Sequence, residues 1–278
     1  MGQCLDTVTL VPEDSGRFDN IAGIITTFTP LSKNCPSSAI IDRNARVYKR
    51  KPKGSSAKRR DGLLNTKIRA RSKLMKIALE NSTASPLLRL PGEIRDTIWR
   101  YAVGGHQVDM CGHHRGFKYQ YNRVKIRPLG CEETTPSNFV RPTFQLLQVC
   151  RQIYIEASHI VYTMNTFGFN NGDVMDRWIK SIPLGHKRAV ASIDVPSMYM
   201  STYTMGTRKP LHRKFPNIKR IGIDIHYAKQ VRERNETLDQ AKARVQTMVR
   251  GWECENVKIE WHDSQARSRL GKYQLRDV

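Results

Sequence analysis

Between Arg43 and Lys76 the chain carries fourteen Lys or Arg and a single acid, Asp61. Like charges at that density repel one another and cannot be buried without partners, so such a block stays solvated and builds no core. The fold must therefore come from the residues C-terminal to this block. Of 278 residues 39% are hydrophobic, which suits a folded part plus a polar tail. We expect a disordered basic tail over residues 1–85, one α+β domain over 86–265 with an inserted hairpin at about 105–142, and a frayed end over 266–278. No run approaches the roughly 18 apolar residues of a membrane span. The beginning, with Asp6 and no early lysine, does not read as a secretory signal.

Within the basic block, Lys49, Arg50, Lys51 and Lys53 precede Lys58, Arg59 and Arg60 after a short Gly-Ser-Ser-Ala spacer. Extended clusters of this kind fit acidic grooves, one lysine to a carboxylate, as nuclear import receptors read them. The expected compartment is the nucleus or cytoplasm, with this cluster favouring the nucleus. Leu64, Ile68, Met75 and Leu79 then fall near helical spacing among basic residues, the pattern of a basic amphipathic helix. Met1-Gly2-Gln3-Cys4 hints at acylation, but Asp6 stands where Ser or Thr is needed. The six cysteines contain no C-x-x-C pair and read as free thiols. Cys111-Gly112-His113-His114 lacks the paired spacing of structural zinc sites and reads as a polar loop, so neither a metal nor a cofactor is expected.

The sharpest local signal is Leu87-Leu88-Arg89-Leu90-Pro91-Gly92-Glu93-Ile94-Arg95-Asp96-Thr97-Ile98-Trp99-Arg100-Tyr101-Ala102. Pro91 suits a first helical turn, Glu93 complements the helix dipole, and Gly104-Gly105 ends the helix. Ile94, Ile98, Tyr101 and Ala102 share one face by periodicity. A second block runs Leu146-Leu147-Gln148-Val149-Cys150-Arg151-Gln152-Ile153 to Glu156-Ala157, then Tyr162 and Asn165-Thr166-Phe167. Leu146, Cys150, Ile153, Ala157 and Ile160 form its apolar stripe. Arg151 lies off that stripe, open to a pair with Glu93 or Glu156. Asn165 is placed to end the helix, and Thr166–Phe169 reads as a strand.

Taken together, the two blocks resemble a large family of fungal F-box-like domains, and the Leu90-Pro-x-Glu93-Ile94-x-x-x-Ile98 string is similar to the opening of an F-box. The resemblance implies F-box-like helices followed by a small mixed or parallel sheet with packed helices. It also implies a non-catalytic adaptor that contacts a Skp-type protein through Leu90, Pro91, Glu93, Ile94 and Ile98 and brings a target to a ubiquitin ligase. This sequence departs from an ordinary F-box in the long insertion, Gly104 to about Pro142, between the blocks.

Inside that insertion, Phe117, Tyr119 and Tyr121 alternate with polar residues as in a half-buried strand, and the phase shifts at Asn122-Arg123, marking a turn or bulge. Arg115-Gly-Phe117-x-Tyr119-x-Tyr121, with Arg123, partly resembles the RNP1 signature of RNA-binding sheets, but Lys118 and Gln120 depart from it, so a structural hairpin with a basic outer face is the preferred reading and these five residues are the nucleic-acid candidates. Downstream, Asp173 begins a short helix as its cap, Val190–Val195 reads as a strand, and Phe215–Ile225 as a turn and strand. Leu238, Ala241, Val245, Met248 and Trp252 mark one face of a long helix. Val257, Ile259 and Trp261 alternate in a last strand, with a frayed end from His262. Strand, helix, strand implies a right-handed crossover.

No nucleophile elbow, P-loop, dinucleotide fingerprint or H-E-x-x-H is present. The expectation is a protein-interaction module rather than an enzyme. The alternative is a nuclear protein holding nucleic-acid phosphates without strong sequence preference, because even residues 87–278 carry 31 basic against 18 acidic side chains.

Overall fold

The computed structural model describes residues 59–65, 71–115, 118–131, 139–142 and 144–263. They form one six-stranded sheet with packed helices, the α+β class expected. Its strands are β1 (His106–Arg115), β2 (Lys118–Pro128), β3 (Thr166–Phe169), β4 (Ser192–Val195), β5 (Arg220–Asp224) and β6 (Lys258–His262). Their spatial order is β2-β1-β3-β4-β5-β6. All neighbours run parallel except the β1–β2 hairpin.

The helices are α1 (Lys73–Ala84), α2 (Gly92–Val103), α3 (Arg151–Thr163), α4 (Gly172–Ser181), α5 (Leu184–Lys187), α6 (Ser197–Thr204), α7 (Leu211–Lys214), α8 (Ile225–Val231) and α9 (Leu238–Trp252), with a 3-10 turn at Phe144–Gln148. From β1 through β3, β4 and β5 to β6 each connection advances one strand in the same direction. Right-handed crossovers therefore stack the intervening helices on one face of the sheet. That face is apolar: Phe167, Phe169, Ile193, Val195, Ile221 and Ile223 are buried. The Trp178 ring of α4 lies 5.0 Å from both Phe167 and Phe169, and Tyr162 of α3 lies 5.7 Å from Phe167.

The alternate residues put polar groups on the other face. Arg220 of β5 donates to Asp194 of β4 at 2.8 Å and also to Glu260 of β6. Gln107 of β1 reaches across β3 to the second Asp194 oxygen at 2.9 Å and holds Asp109 at 2.8 Å. Burial weakens the Arg220 cation, but the two carboxylates outweigh it and leave its pKa raised. Gly168 and Gly222 make this lattice possible. A Cβ at Gly222 would run into the Asp194 carboxylate, and one at Gly168 into Asp109. Carboxylates can lie flat over the neighbouring strand only where that strand has no side chain.

Several sequence expectations are corrected. Cys111–His114 is part of strand β1, not a loop: Gln107, Val108, Asp109 and Met110 pair with β3, and that pairing carries the strand onward. The hairpin is therefore built into the sheet rather than inserted beside it. Its register shifts between Cys111 and Gly112, leaving Asn122 as the extra residue, which is the expected bulge. α4 is capped by Asn171, whose side chain accepts from the Asp173 N–H at 2.9 Å, because Asn171 holds the extended backbone a cap requires. In α9 the fully buried positions are Ala241, Val245 and Val249, while Met248 and Trp252 are half-buried. His262 belongs to β6 and is buried, so the ordered chain runs past it.

The domain also begins before residue 86. Ser72 caps α1, and its hydroxyl accepts from the Met75 N–H at 3.2 Å. Further upstream, residues 59–65 dock on the domain. The Asp61 carbonyl accepts from Gly185 N–H at 3.0 Å, Tyr154 Oη accepts from Leu64 N–H at 3.3 Å, and Arg151 donates to the Asn65 carbonyl. The Leu63 side chain occupies the space over Gly185. Leu63 and Leu64 give this stretch apolar surface to bury, which the cations around it obscure in a composition count. Ile68 and residues 266–278 lie outside the described residues.

Candidate protein-interaction surface

α2 forms where the sequence places it, with Pro91 just before the first turn, Glu93 within it, and Gly105 left-handed (φ +73°) just past its end. Its orientation differs from the expectation. The residues that meet the core are Trp99, 1% exposed, and Val103, 0% exposed. Two members of the periodic stripe instead face outward, Ile94 at 50% exposed and Tyr101 at 84%, while Ile98 between them is half-buried and packs against the core.

The cause is a polar lock between α2 and α3. Arg95 donates two hydrogen bonds to Glu156, at 3.0 and 2.7 Å, in the forked geometry that makes guanidinium–carboxylate pairs strong. Trp99 Nε1 donates to the same carboxylate at 2.9 Å, and Gln152 at 3.1 Å. Arg95 also satisfies the carbonyls of Leu88, at 3.1 Å, and Leu90, closing the turn before the helix. Burial alone would raise the Glu156 carboxyl. The hydrogen bonds from Arg95, Trp99 and Gln152 outweigh it and hold the group below its usual range.

The pairing of Arg151 with Glu93 or Glu156 is thereby corrected: Arg95 occupies Glu156, Glu93 is exposed, and Arg151 turns to the Asn65 carbonyl. Spacing could not reveal this, since Arg95 and Glu156 are 61 residues apart.

A second lock sits at the other end of the helices. Asn165 is 1% exposed. It donates to the last α2 carbonyl, Val103, at 2.6 Å and to Val161 of α3 at 2.9 Å. Its oxygen accepts from the His106 N–H that opens β1, at 2.7 Å. One amide thus ties two helix ends to the sheet, supplying bonds that helix termini lack. The Asn-Thr-Phe string was legible as a helix end, but its reach to Val103 and His106 was not.

Of the residues the resemblance singles out, Pro91, Glu93 and Ile94 are exposed, Leu90 is half-buried, and Ile98 is half-buried against the core. Beyond them, Ile77 of α1 and Val149 before α3, 42% and 69% exposed, line a cleft of about 150 Å³ together with Arg151. Apolar side chains exposed in a row on a rigid helix, rimmed by charged residues such as Asp96 and Arg100, have the composition of an interaction site.

The other sequence candidates fall elsewhere. Lys49, Arg50, Lys51, Lys53 and Lys58 lie outside the described residues. Arg59 and Arg60 are exposed on the docked turn, where Arg59 pairs with Asp61 at 3.4 Å. Phe117 also lies outside the described residues. Arg115 ends β1, and Tyr119, Tyr121 and Arg123 are backbone partners of His114, Gly112 and Cys111 on the outer strand β2. These positions lie toward the tip of the hairpin, whereas α2 leads into the other end of β1 at His106. Among the described residues no three His, Cys, Asp or Glu converge as metal ligands, and no helix is long and apolar enough to cross a membrane.

No curated protein and no solved structure matches this chain. Residues 80–220, from the end of α1 to the first residue of β5, match the family described as a domain of unknown function (DUF7730). The matched span contains both locks, Arg95–Glu156 and the Asn165 amide, whereas the sheet itself continues through β5 and β6. Since the match covers half of the chain and the pieces that fasten α2 and α3 to the sheet, the chain belongs to the DUF7730 family.

Proposed function

We propose that this protein is a non-catalytic interaction module whose α2 stripe docks a protein partner, in the manner of an F-box-like adaptor joining a target to a ubiquitin ligase through a Skp-type protein. The observation that carries this reading is exposure. Ile94 and Tyr101 stand in solvent on a helix whose opposite side, Trp99 and Val103, is completely buried. A helix turned this way presents Pro91, Ile94 and Tyr101, with half-buried Leu90 and Ile98 beside them, without unfolding anything. Binding would act by proximity, with the rigid Arg95–Glu156 lock keeping the stripe in place and so reducing the ordering cost of association.

The test is co-purification of the tagged full chain from its own cells, beside Ile94→Asp and Tyr101→Ser. Substitution at exposed positions changes folding stability little, within about 0.5 kcal/mol, so both variants should keep the wild-type circular dichroism and melting temperature. The proposal expects a Skp-type protein and a cullin in stoichiometric yield with the wild type and not with the variants. Their absence from the wild-type preparation, or equal recovery with folded variants, would refute it.

A further inference from the structure

The loops that enter β4, β5 and β6 from below bring together cations that are far apart in the chain. Lys187 and Arg188 precede β4, and Arg213, Lys214 and Lys219 precede β5. The Asn217 side chain donates to the Arg188 carbonyl at 2.7 Å, and the Lys219 and Arg220 N–H groups both bond the Ala191 carbonyl. Lys258 N–H bonds the Lys219 carbonyl at 2.8 Å, joining the β6 loop to the same edge. Arg188, Arg213 and Lys219 are exposed, and none of the five cations has a carboxylate partner among the described residues.

The deficit of acids lies in the chain up to β5, since the loop into β6 adds exposed Glu255 and buried Glu253, which is taken up by the Leu211 and His212 N–H groups. From Lys180 to Lys219 there are eight Lys or Arg and one acid, Asp194, which is already held by Arg220 and Gln107. Lys187 loses proton affinity first through partial burial and then through the charge of Lys214, whose Nζ donates to Tyr199 Oη at 2.8 Å. The docked turn carrying exposed Arg59 and Arg60 adjoins this edge through the Asp61–Gly185 bond.

We propose that this edge of the sheet, built by Lys187, Arg188, Arg213, Lys214 and Lys219, binds the phosphodiester backbone of nucleic acid. Adjacent parallel strands are spaced about 4.8 Å apart, so successive loops set the cations in a row that can follow a chain of phosphates. The chemistry favours a phosphate polymer over the other acidic partners. Of the exposed large apolar side chains between Lys180 and Lys219, which are Leu184, Met198 and Met205, only Leu184 shares a helix with one of the five cations. A protein interface is centred on buried aromatic or aliphatic anchors, and a membrane-binding surface needs an apolar face to insert. A row of cations without either makes positioning contacts to phosphates and carries no base readout. The site is distinct from the α2 stripe and from the β2 residues singled out in the sequence.

The experiment measures binding of the full chain to a labelled DNA duplex of about 20 base pairs, and to single-stranded RNA of similar length, over a range of salt concentrations. Arg188→Gln/Arg213→Gln/Lys219→Gln removes three exposed cations from the edge. Lys229→Gln/Arg232→Gln/Arg234→Gln removes the same charge from α8 and the loop after it. Removing one phosphate-binding cation should flatten the log K against log salt slope by about 0.9 for a duplex. The edge variant should therefore lose about 2 to 3 in slope, the α8 variant less than about 1, and Arg213→Gln alone about 1. Preference for duplex or for RNA identifies the source of the phosphates. Equal losses in the two triple variants, an unchanged slope in the edge variant, or loss of binding to phosphatidylserine vesicles with nucleic-acid binding intact would overturn the proposal.

Discussion

His186 should make the stability of this protein fall from about pH 6.5 downward, beginning before the carboxylates titrate. The residue lies on α5, 7% exposed, with its ring stacked on Tyr162 at 4.4 Å and Tyr154 Oη 3.3 Å from Nε2. Burial lowers its pKa from 6.5 to about 4, against a smaller opposing pull from Asp61. The folded state thus takes up its proton later than the unfolded chain as pH falls. The contribution to stability is complete above about pH 6.5 and declines until pH reaches about 4. Each tenfold change in proton affinity is worth about 1.4 kcal/mol, so the full loss is about 3 kcal/mol, of which about 2 kcal/mol is gone by pH 5. Urea unfolding followed by tryptophan fluorescence at about pH 7.5 and about pH 5 measures this for the wild type and for His186→Phe. Phenylalanine keeps a ring against Tyr162 and cannot titrate. It forfeits the Tyr154 contact, at a cost of about 1 kcal/mol at any pH. The gap between the two proteins should close or reverse toward pH 5. His106, also buried with a lowered pKa, is present in both and cancels. Parallel stability curves across that range would refute the argument.

Three further outcomes stem from the packing. Asn165→Ala removes an amide that bonds Val103, Val161 and the His106 N–H. It should cost about 3 kcal/mol or more by denaturant unfolding, since each stranded buried group costs about 1–3 kcal/mol. Gly222→Ala should destabilise the fold by about 1–3 kcal/mol, because the new methyl meets an Asp194 carboxylate that Arg220 and Gln107 hold in place, whereas alanine at exposed Gly251, with nothing within 4 Å, should not. Because Glu156 sits below its ordinary value of 4.5, its part of the α2–α3 lock is intact above that pH and is lost as pH falls through the lowered value. Glu156→Gln should flatten the acid limb of a melting-temperature profile, and an unchanged limb would show that the Arg95 pair adds no net stability.

The orientation of α2 shows how the edge used in the proposed function depends on contacts distant in sequence. By periodicity Ile94, Ile98 and Tyr101 look like the side that packs. Burial instead follows Trp99, whose indole N–H needs an acceptor once it is inside. The acceptor is Glu156, and the Arg95 fork on the same carboxylate sets the rotation of the helix. Nothing within the α2 sequence specifies that choice. A similar dependence governs the basic edge: Arg188 and Lys219 are distant in the chain and become neighbours only because β4 and β5 pair from Ser192–Arg220 onward.

The local signals in the sequence did determine the elements. Pro91 and Gly104-Gly105 bracket α2, the Asn165-Thr166-Phe167 string marks the step from α3 into β3, and the broken alternation at Asn122-Arg123 marks the bulge in β2. Those signals act over a few residues, where backbone conformation and side-chain period are properties of the string itself. Tertiary structure decided which sides of the elements face water. It turned the Ile94–Tyr101 stripe outward, drew Cys111–His114 into a strand, anchored residues 59–65, and spread Asp194, Arg220 and Glu260 over three strands as one lattice. The physical reason is that burial and ion pairing are settled between chain segments. A residue's partner depends on strand order and register, and those quantities exist only after the sheet has formed.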